Sequence, residues 1–325
     1  FSRYEVAGYH WVNILIHLAA GVFLYLFFRT TFAFTEETRL NQVGLQAVMA
    51  FSVGLWALHP LQTQAVTYIV QRMTSMAALF YVISMWLYAK GRQQQRSGTD
   101  QPLVVYGCFG GCLLAGALAL GSKEIAATLP FFLLLYEWYF FQDLSRQWLK
   151  CRFVYIAAIF LLLFITGLVY MGLNPIEVIL ATYRDRDFSM GQRLLTQLRV
   201  VPFYLSLLLF PYPSRLNLDH DFVISNSLLA PPSTLIGMMA LIGLVALAMF
   251  LAKKHRVLSF CILWTLGQLV IESSVIGLEM VFEHRMYLPS MLAILGIVLT
   301  ICRYVKPQWL AYSLLVTMVA FSSIW

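Results

Sequence analysis

The stretch "SKEIAATLPFFLLLYEW" sets a cation and a carboxylate, Lys123 and Glu124, side by side at the mouth of a long apolar run. Ionisable groups at membrane depth default to function. Two chemistries fit: a snorkelling lysine with a glutamate that caps the helix dipole, or a lysine that holds an anionic headgroup with the glutamate orienting it. "FEHRMYLPS" packs Glu283, His284, Arg285 and Tyr287 directly before another apolar run. Arginine binds phosphate through a planar fork of donors and lysine acts as a point charge, while histidine adds a neutral donor or a proton relay. Arg285 alone also suits a helix anchor at headgroup level, but its company, with Glu272 and Glu279 upstream, favours a site.

Other polar groups are more ambiguous. In "NLDHDF", the order Asp219, His220, Asp221 could bind a divalent ion or serve acid–base chemistry, although D-x-D is common in polar loops. "YRDRDF", with Arg184, Asp185, Arg186 and Asp187, reads as a self-paired surface loop, with a substrate contact as the alternative. His59 and Pro60 close one apolar run, and Arg72 opens the next, facing either lipid headgroups or a pocket. His10, Asn13 and His17 share one helical face at i, i+3 and i+7, a pattern that suits hydrogen bonds to a neighbouring helix better than a ligand.

The elements that carry these residues are set by composition. The chain has 325 residues, 60% hydrophobic and 11% charged, against about 25% charged in an ordinary soluble domain. A soluble fold could not bury that much apolar surface, so the expectation is an all-α polytopic membrane protein. Crossing a bilayer takes about 20 apolar residues, and ten segments approach that length: 10–28, 42–58, 74–89, 103–120, 125–141, 153–172, 234–252, 257–272, 286–302 and 308–325. The run 200–210 is too short and contains Pro202, which predicts an interfacial or re-entrant helix.

Four basic clusters orient the spans: Lys90, Arg92 and Arg96; Arg146, Lys150 and Arg152; Lys253, Lys254 and Arg256; Arg303 and Lys306. By the positive-inside rule all four are cytoplasmic. Counting crossings then gathers the Lys123, "NLDHDF" and "FEHRMYLPS" motifs on the outer face. The net charge of +7 is explained by these loops and not by nucleic acid. Five cysteines, an odd number set in or beside apolar runs, suggest no disulfide framework and no metal site. No G-x-x-x-x-G-K-[ST], G-x-G-x-x-G, H-E-x-x-H or G-x-S-x-G occurs, so nucleotide hydrolysis and zinc proteolysis lack support. The remaining theme is cations facing a lipid-borne anion.

Taken in order, "YHWVNILIHLAAGVFLYLF", "HPLQTQAVTYIVQRMTSMAALFYVISMWLYAKGR", "SKEIAATLPFFLLLYEW", "LNLDHDF" and "ESSVIGLEMVFEHRMYLPS" resemble the bacterial relatives of the transmembrane O-mannosyltransferases that carry tetratricopeptide repeats, from about Tyr9 to about Pro289. The resemblance implies a GT-C-like bundle and an enzyme that passes a sugar from a polyprenyl-phosphate carrier to an acceptor hydroxyl on the outer face. Protein serine or threonine leads as acceptor, with pilin-like subunits and surface glycans as alternatives. Members keep a catalytic carboxylate in the first outer loop. That loop and the first span would precede Phe1, so residues 1–325 are expected to form a single transmembrane domain without them and without a repeat domain.

The remaining roles follow from the resemblance together with the chemistry. Lys123, Arg72 and Arg285 would hold the phosphate, His284 would donate a hydrogen bond, and Glu124 would hold Lys123 or contact the sugar. Asp219, His220 and Asp221 would line the sugar pocket or the acceptor path, with His59, Glu283 and Tyr287 completing the substrate-binding set. Glu124, His284, Asp219 and Asp221 are the catalytic candidates. The 200–210 helix would lie beside the carrier's isoprenoid tail. No metal ligands are assigned, and a divalent-ion requirement is left open. The expected setting is a bacterial inner membrane, crossed many times, with the site facing the periplasm. Two rivals remain: a transporter or lipid-linked sugar flippase, which would show mid-membrane charges and two related halves, and a membrane anchor for a repeat-based scaffold.

Overall fold

The computed structural model describes residues 6–35, 42–98, 101–172 and 174–324, and among them every regular element is helical. In chain order the α-helices are α1 (Val6–Phe32), α2 (Gln42–Ala57), α3 (Thr63–Thr67), α4 (Arg72–Arg96), α5 (Pro102–Ser122), α6 (Leu129–Phe140), α7 (Arg146–Met171), α8 (Pro175–Ala181), α9 (Met190–Leu209), α10 (Ser233–Leu251), α11 (Arg256–Gln268), α12 (Tyr287–Tyr304) and α13 (Gln308–Ile324). Local chemistry sets several boundaries. Pro102 opens α5 in the first turn, where its missing N–H costs nothing. Ser145 accepts the Trp148 amide to cap α7, and Ser189 with Gln192 forms a reciprocal capping box on α9.

Each of the ten expected segments falls on a helix, but they are not equivalent. Five stretches are long and apolar enough to cross a membrane, namely Ala7–Phe32, Pro102–Ser122, Arg146–Val169, Ser233–Leu251 and Glu283–Tyr304, and the pair Gln42–Ala57 plus Pro60–Thr67, bent by 51°, makes a sixth if counted as one broken span. The expected crossing at 74–89 lies in α4, whose last turns carry Lys90, Arg92 and Arg96. Those at 125–141 and 257–272 correspond to α6 and α11, only 12 and 13 residues long. At 1.5 Å per residue they reach about 20 Å, short of a hydrocarbon core of about 30 Å. Residue 325, the last of the expected final segment, lies outside the described residues.

Apolar packing fixes the bundle. Phe132, Tyr136 and Phe140 of α6 meet Phe260 and Trp264 of α11 in edge and tilted contacts, and Trp264 Nε1 donates to Leu288 O of α12 at 3.1 Å. These rings are nearly or fully buried. By contrast, α7 buries nothing along its membrane-length stretch, which suits a helix sheathed by lipid.

The two ends of the bundle differ. At one end Arg92 grips Glu137 through two bonds of 2.8 and 2.7 Å, joined by Tyr88 Oη and Gln142, and Arg256 pairs with Asp143. The basic clusters of α4, α7 and α11 start or finish at this end. The opposite end gathers the finish of α2, α5 and α11 and the start of α4 and α12. Trp56 Nε1 reaches Tyr287 O at 3.3 Å, and Lys123 Nζ reaches Thr74 Oγ1 at 3.1 Å.

The 200–210 run is the second half of α9, a 20-residue amphipathic helix that begins at Met190 and continues through Pro202. Both halves of α9 are tied to the polar end: Arg193 donates to carbonyls between Glu272 and Glu279, and Leu208 O faces His59 Nε2 at 3.0 Å. α9 therefore lies across that end. Leu198 O, the carbonyl that Pro202 cannot bond, packs onto α10 at Gly237, where any Cβ would collide with it.

Candidate functional site

Lys123 closes α5 in an extended conformation, with a 3-10 turn, Glu124–Thr128, behind it. Leaving the helix there turns its side chain inward, 10% exposed, where Nζ donates to Glu272 Oε1 at 3.0 Å and to Thr74 at 3.1 Å. Arg285, 5% exposed, approaches the same Glu272 oxygen at 4.0 Å through Nε, donates to Met280 O and lies over the Phe282 ring. One buried carboxylate thus sits between two of the three cations that the sequence singled out.

Glu272 is placed by a third cation. The fully buried Arg193 spends its guanidinium on four backbone carbonyls, those of Glu272, Ser274, Leu278 and Glu279, at 2.5–3.3 Å. Burial, with the charge of Arg285 adding to it, pushes its pKa down to about 10, so it stays charged at neutral pH. The cluster therefore sets two cations, Lys123 and Arg285, against one carboxylate, with Arg193 bonded to the backbone carbonyls beside it. Glu279 is engaged with Arg186 instead.

The 3-10 turn Glu283–Met286 brings two further groups to the same end. His284 sends both its backbone N–H and Nδ1 to Gln64 Oε1, at 2.8 and 2.9 Å. The amide N–H can only donate, so Gln64 presents oxygen and the imidazole carries its proton on Nδ1. Glu283 Oε1 accepts from Asn217 N at 2.6 Å and His220 Nε2 at 3.0 Å. Glu283 also lines a cleft of about 480 Å³ between the Pro60–Tyr68 segment and the loop after α9.

Lys123, Glu283, His284, Arg285 and His220 thus belong to one polar end, while the other expected site residues do not join them. Glu124 is exposed, and among the described residues its carboxylate has no partner; Glu272 holds Lys123 in its place. Asp219 and Asp221 are exposed while His220 turns inward, so the carboxylate–imidazole–carboxylate order does not converge. Among the described residues no three His, Cys, Asp or Glu side chains are grouped to hold a metal ion. Arg72 faces α1, bonded to Asn13 Oδ1 at 2.7 Å and to Tyr9 O.

His59 uses both ring nitrogens, accepting from Leu61 N and facing Leu208 O, as the cap of a 3-10 turn. Tyr287, fully buried, bonds His17 at 2.8 Å and packs on Trp56. With Asn13 bonded to Val66 O, this confirms the interhelical role expected of the Asn13–His17 face. Among the described residues "YRDRDF" shows no ion pair within itself, and Arg186 reaches Glu279 instead.

Glu272, Arg193 and Gln64 were not legible as site residues. Glu272 stood within the quoted acidic stretch, but its placement at the tail of a 257–272 span hid the loop that carries it. Arg193 resembles any interfacial arginine until its carbonyl partners are seen.

Two curated proteins match part of this chain. It is 30% identical to Protein O-mannosyl-transferase Tmtc3 of Drosophila melanogaster over 162 residues, 46% of this chain and 17% of the relative. It is 29% identical to Protein O-mannosyl-transferase TMTC4 of Homo sapiens over 131 residues, 38% of this chain and 17% of that relative. The chain is related to the transmembrane O-mannosyltransferases. The match spans about a sixth of either relative's length. No protein-family model and no solved structure matches the chain.

Proposed function

We propose that this chain is a membrane glycosyltransferase of the GT-C type that moves a sugar from a polyprenyl-phosphate carrier to an acceptor hydroxyl on the outer face of a bacterial inner membrane. The names of the two relatives favour mannose as the sugar and protein serine or threonine as the acceptor. All ten helical segments then belong to one multi-pass bundle, with the basic end cytoplasmic and the Lys123 end periplasmic.

The observation that carries this proposal is the excess of positive charge around Glu272. Buried charges are normally matched, and Lys123 and Arg285 sharing one carboxylate, with Arg193 nearby bonded only to neutral backbone carbonyls, leave room for an anion. A lipid phosphate supplies it. As the bond from the sugar's anomeric carbon to the phosphate oxygen breaks, charge grows on that oxygen, and Lys123 and Arg285 strengthen their hold as it does. An apolar groove of about 580 Å³, walled by Leu205, Leu208, Leu244, Ile262, Ile297 and Ile301, runs from α9 between α10, α11 and α12. It suits an isoprenoid tail.

The test is retention of undecaprenyl phosphate by the full chain, read by native mass spectrometry. Lys123→Met keeps the stem and removes the charge, so retention is expected to fall about tenfold, the loss of one charge-assisted bond. A folded Lys123→Met protein that retains the lipid as well as the parent would refute the proposal.

A further inference from the structure

We infer that the cleft floored by Glu283 is a monosaccharide site, in which the free oxygen of that carboxylate accepts hydroxyl hydrogens from an uncharged sugar. The inference rests on the transferase proposal for what the bound sugar is for, and on the cleft itself for its chemistry.

Glu283 is 4% exposed. Both of its donors, Asn217 N and His220 Nε2, converge on Oε1, and among the described residues Oε2 has no partner. Among the described residues Oε2 is not one of the sealed, partnerless atoms, so water or a ligand can meet it from the cleft that Glu283 lines, and leaving it unmet would be costly. His220 is itself held against Phe203, edge to face at 5.6 Å, so the carboxylate is fixed in direction.

The surroundings select the ligand. A phosphate is repelled by the carboxylate and is better served at Lys123 and Arg285. A cation finds one carboxylate and no cluster of further ligands among the described residues, with buried positive charge close by. A neutral hydroxyl donor remains. Thr63, Gln64, Thr67 and Asn217 spread polar groups around the walls, and Thr67 Oγ1, which donates to Thr63 O at 2.7 Å, keeps its lone pairs. Several polar groups around one volume match a ring with several hydroxyls better than a single serine. Tyr68, 45% exposed, adds an aromatic surface for the apolar C–H groups of a sugar. The volume of about 480 Å³ lies within the usual range of small-ligand sites.

The experiment is saturation-transfer NMR on the full chain in nanodiscs, with methyl α-mannoside, methyl α-glucoside and a serine/threonine peptide as separate probes. At least one glycoside is expected to receive saturation. Glu283→Gln replaces the free acceptor by an amide donor of the same shape and is expected to weaken that glycoside about fivefold, from a charge-assisted to a neutral bond. Tyr68→Ala, a half-exposed position that should leave the fold intact, is expected to weaken it about as much. Saturation of the peptide alone, or glycoside binding unchanged in both variants, would overturn the inference. Glycoside binding that responds to both variants, in a chain that retains no undecaprenyl phosphate, would support the sugar site while refuting the transferase proposal.

Discussion

Glu272→Ala is expected to cost about 3–5 kcal/mol of stability, because it strands Lys123 and Arg285 as buried charges without a counter-ion. The loss should show as a lower melting temperature in detergent and a smaller folded fraction on gel filtration. Glu272→Gln separates structure from binding. Its amide oxygen still accepts from Lys123 Nζ, so it should retain part of the stability. Removing the negative charge also removes the competitor that a phosphate must displace, so undecaprenyl phosphate retention should rise. Opposite signs for stability and lipid retention are the expected outcome. Parallel falls in both would mean that Glu272 only holds the fold together and that no anion shares its cations.

Arg193→Ala is expected to be comparably severe, about 3–5 kcal/mol, since four carbonyls between Glu272 and Glu279 lose a charged donor in a site with no exposure. Arg193→Lys should rescue little, because an ammonium cannot span four acceptors as a guanidinium fork does. The specific readout is hydrogen exchange. Amides at 272–280 should exchange much faster in either variant, whereas those of α4 and α6 around the Arg92–Glu137 pair should be unaffected at the far end of the bundle. Uniform loss of protection would assign Arg193 to general packing and not to the loop that carries Glu272.

The sequence made the helices and the two unlike ends of the bundle readable for a simple reason: apolar length and the position of lysine and arginine are local properties. It also brought Lys123 and Arg285 to one end of the bundle, because parity needs only a count of crossings. Partner choice was not readable in the same way. Lys123 has Glu124 beside it in the chain, yet its extended backbone turns the two side chains apart, and the carboxylate that binds it is 149 residues away. Asp219 and Asp221 flank His220 in sequence, but in the irregular loop after α9 only the histidine meets Glu283. His59 and Tyr287 look like ligands by type, and helix capping and interhelical bonding consume their polar atoms. The run 200–210 with its Pro202 reads in sequence as a short interfacial or re-entrant helix, whereas it is the second half of the longer α9, which absorbs the proline by setting the freed carbonyl of Leu198 against Gly237.

The central claim is that the cations around Glu272 receive a lipid phosphate, and the most direct measurement is a cryo-EM structure of the full chain in nanodiscs loaded with undecaprenyl phosphate. The account predicts phosphate density at hydrogen-bonding distance, about 3 Å, from Lys123 Nζ and the Arg285 guanidinium, with the lipid tail entering the groove beneath α9. Phosphate density at another place on the chain, with Lys123 and Arg285 still closed on Glu272 alone, would contradict it.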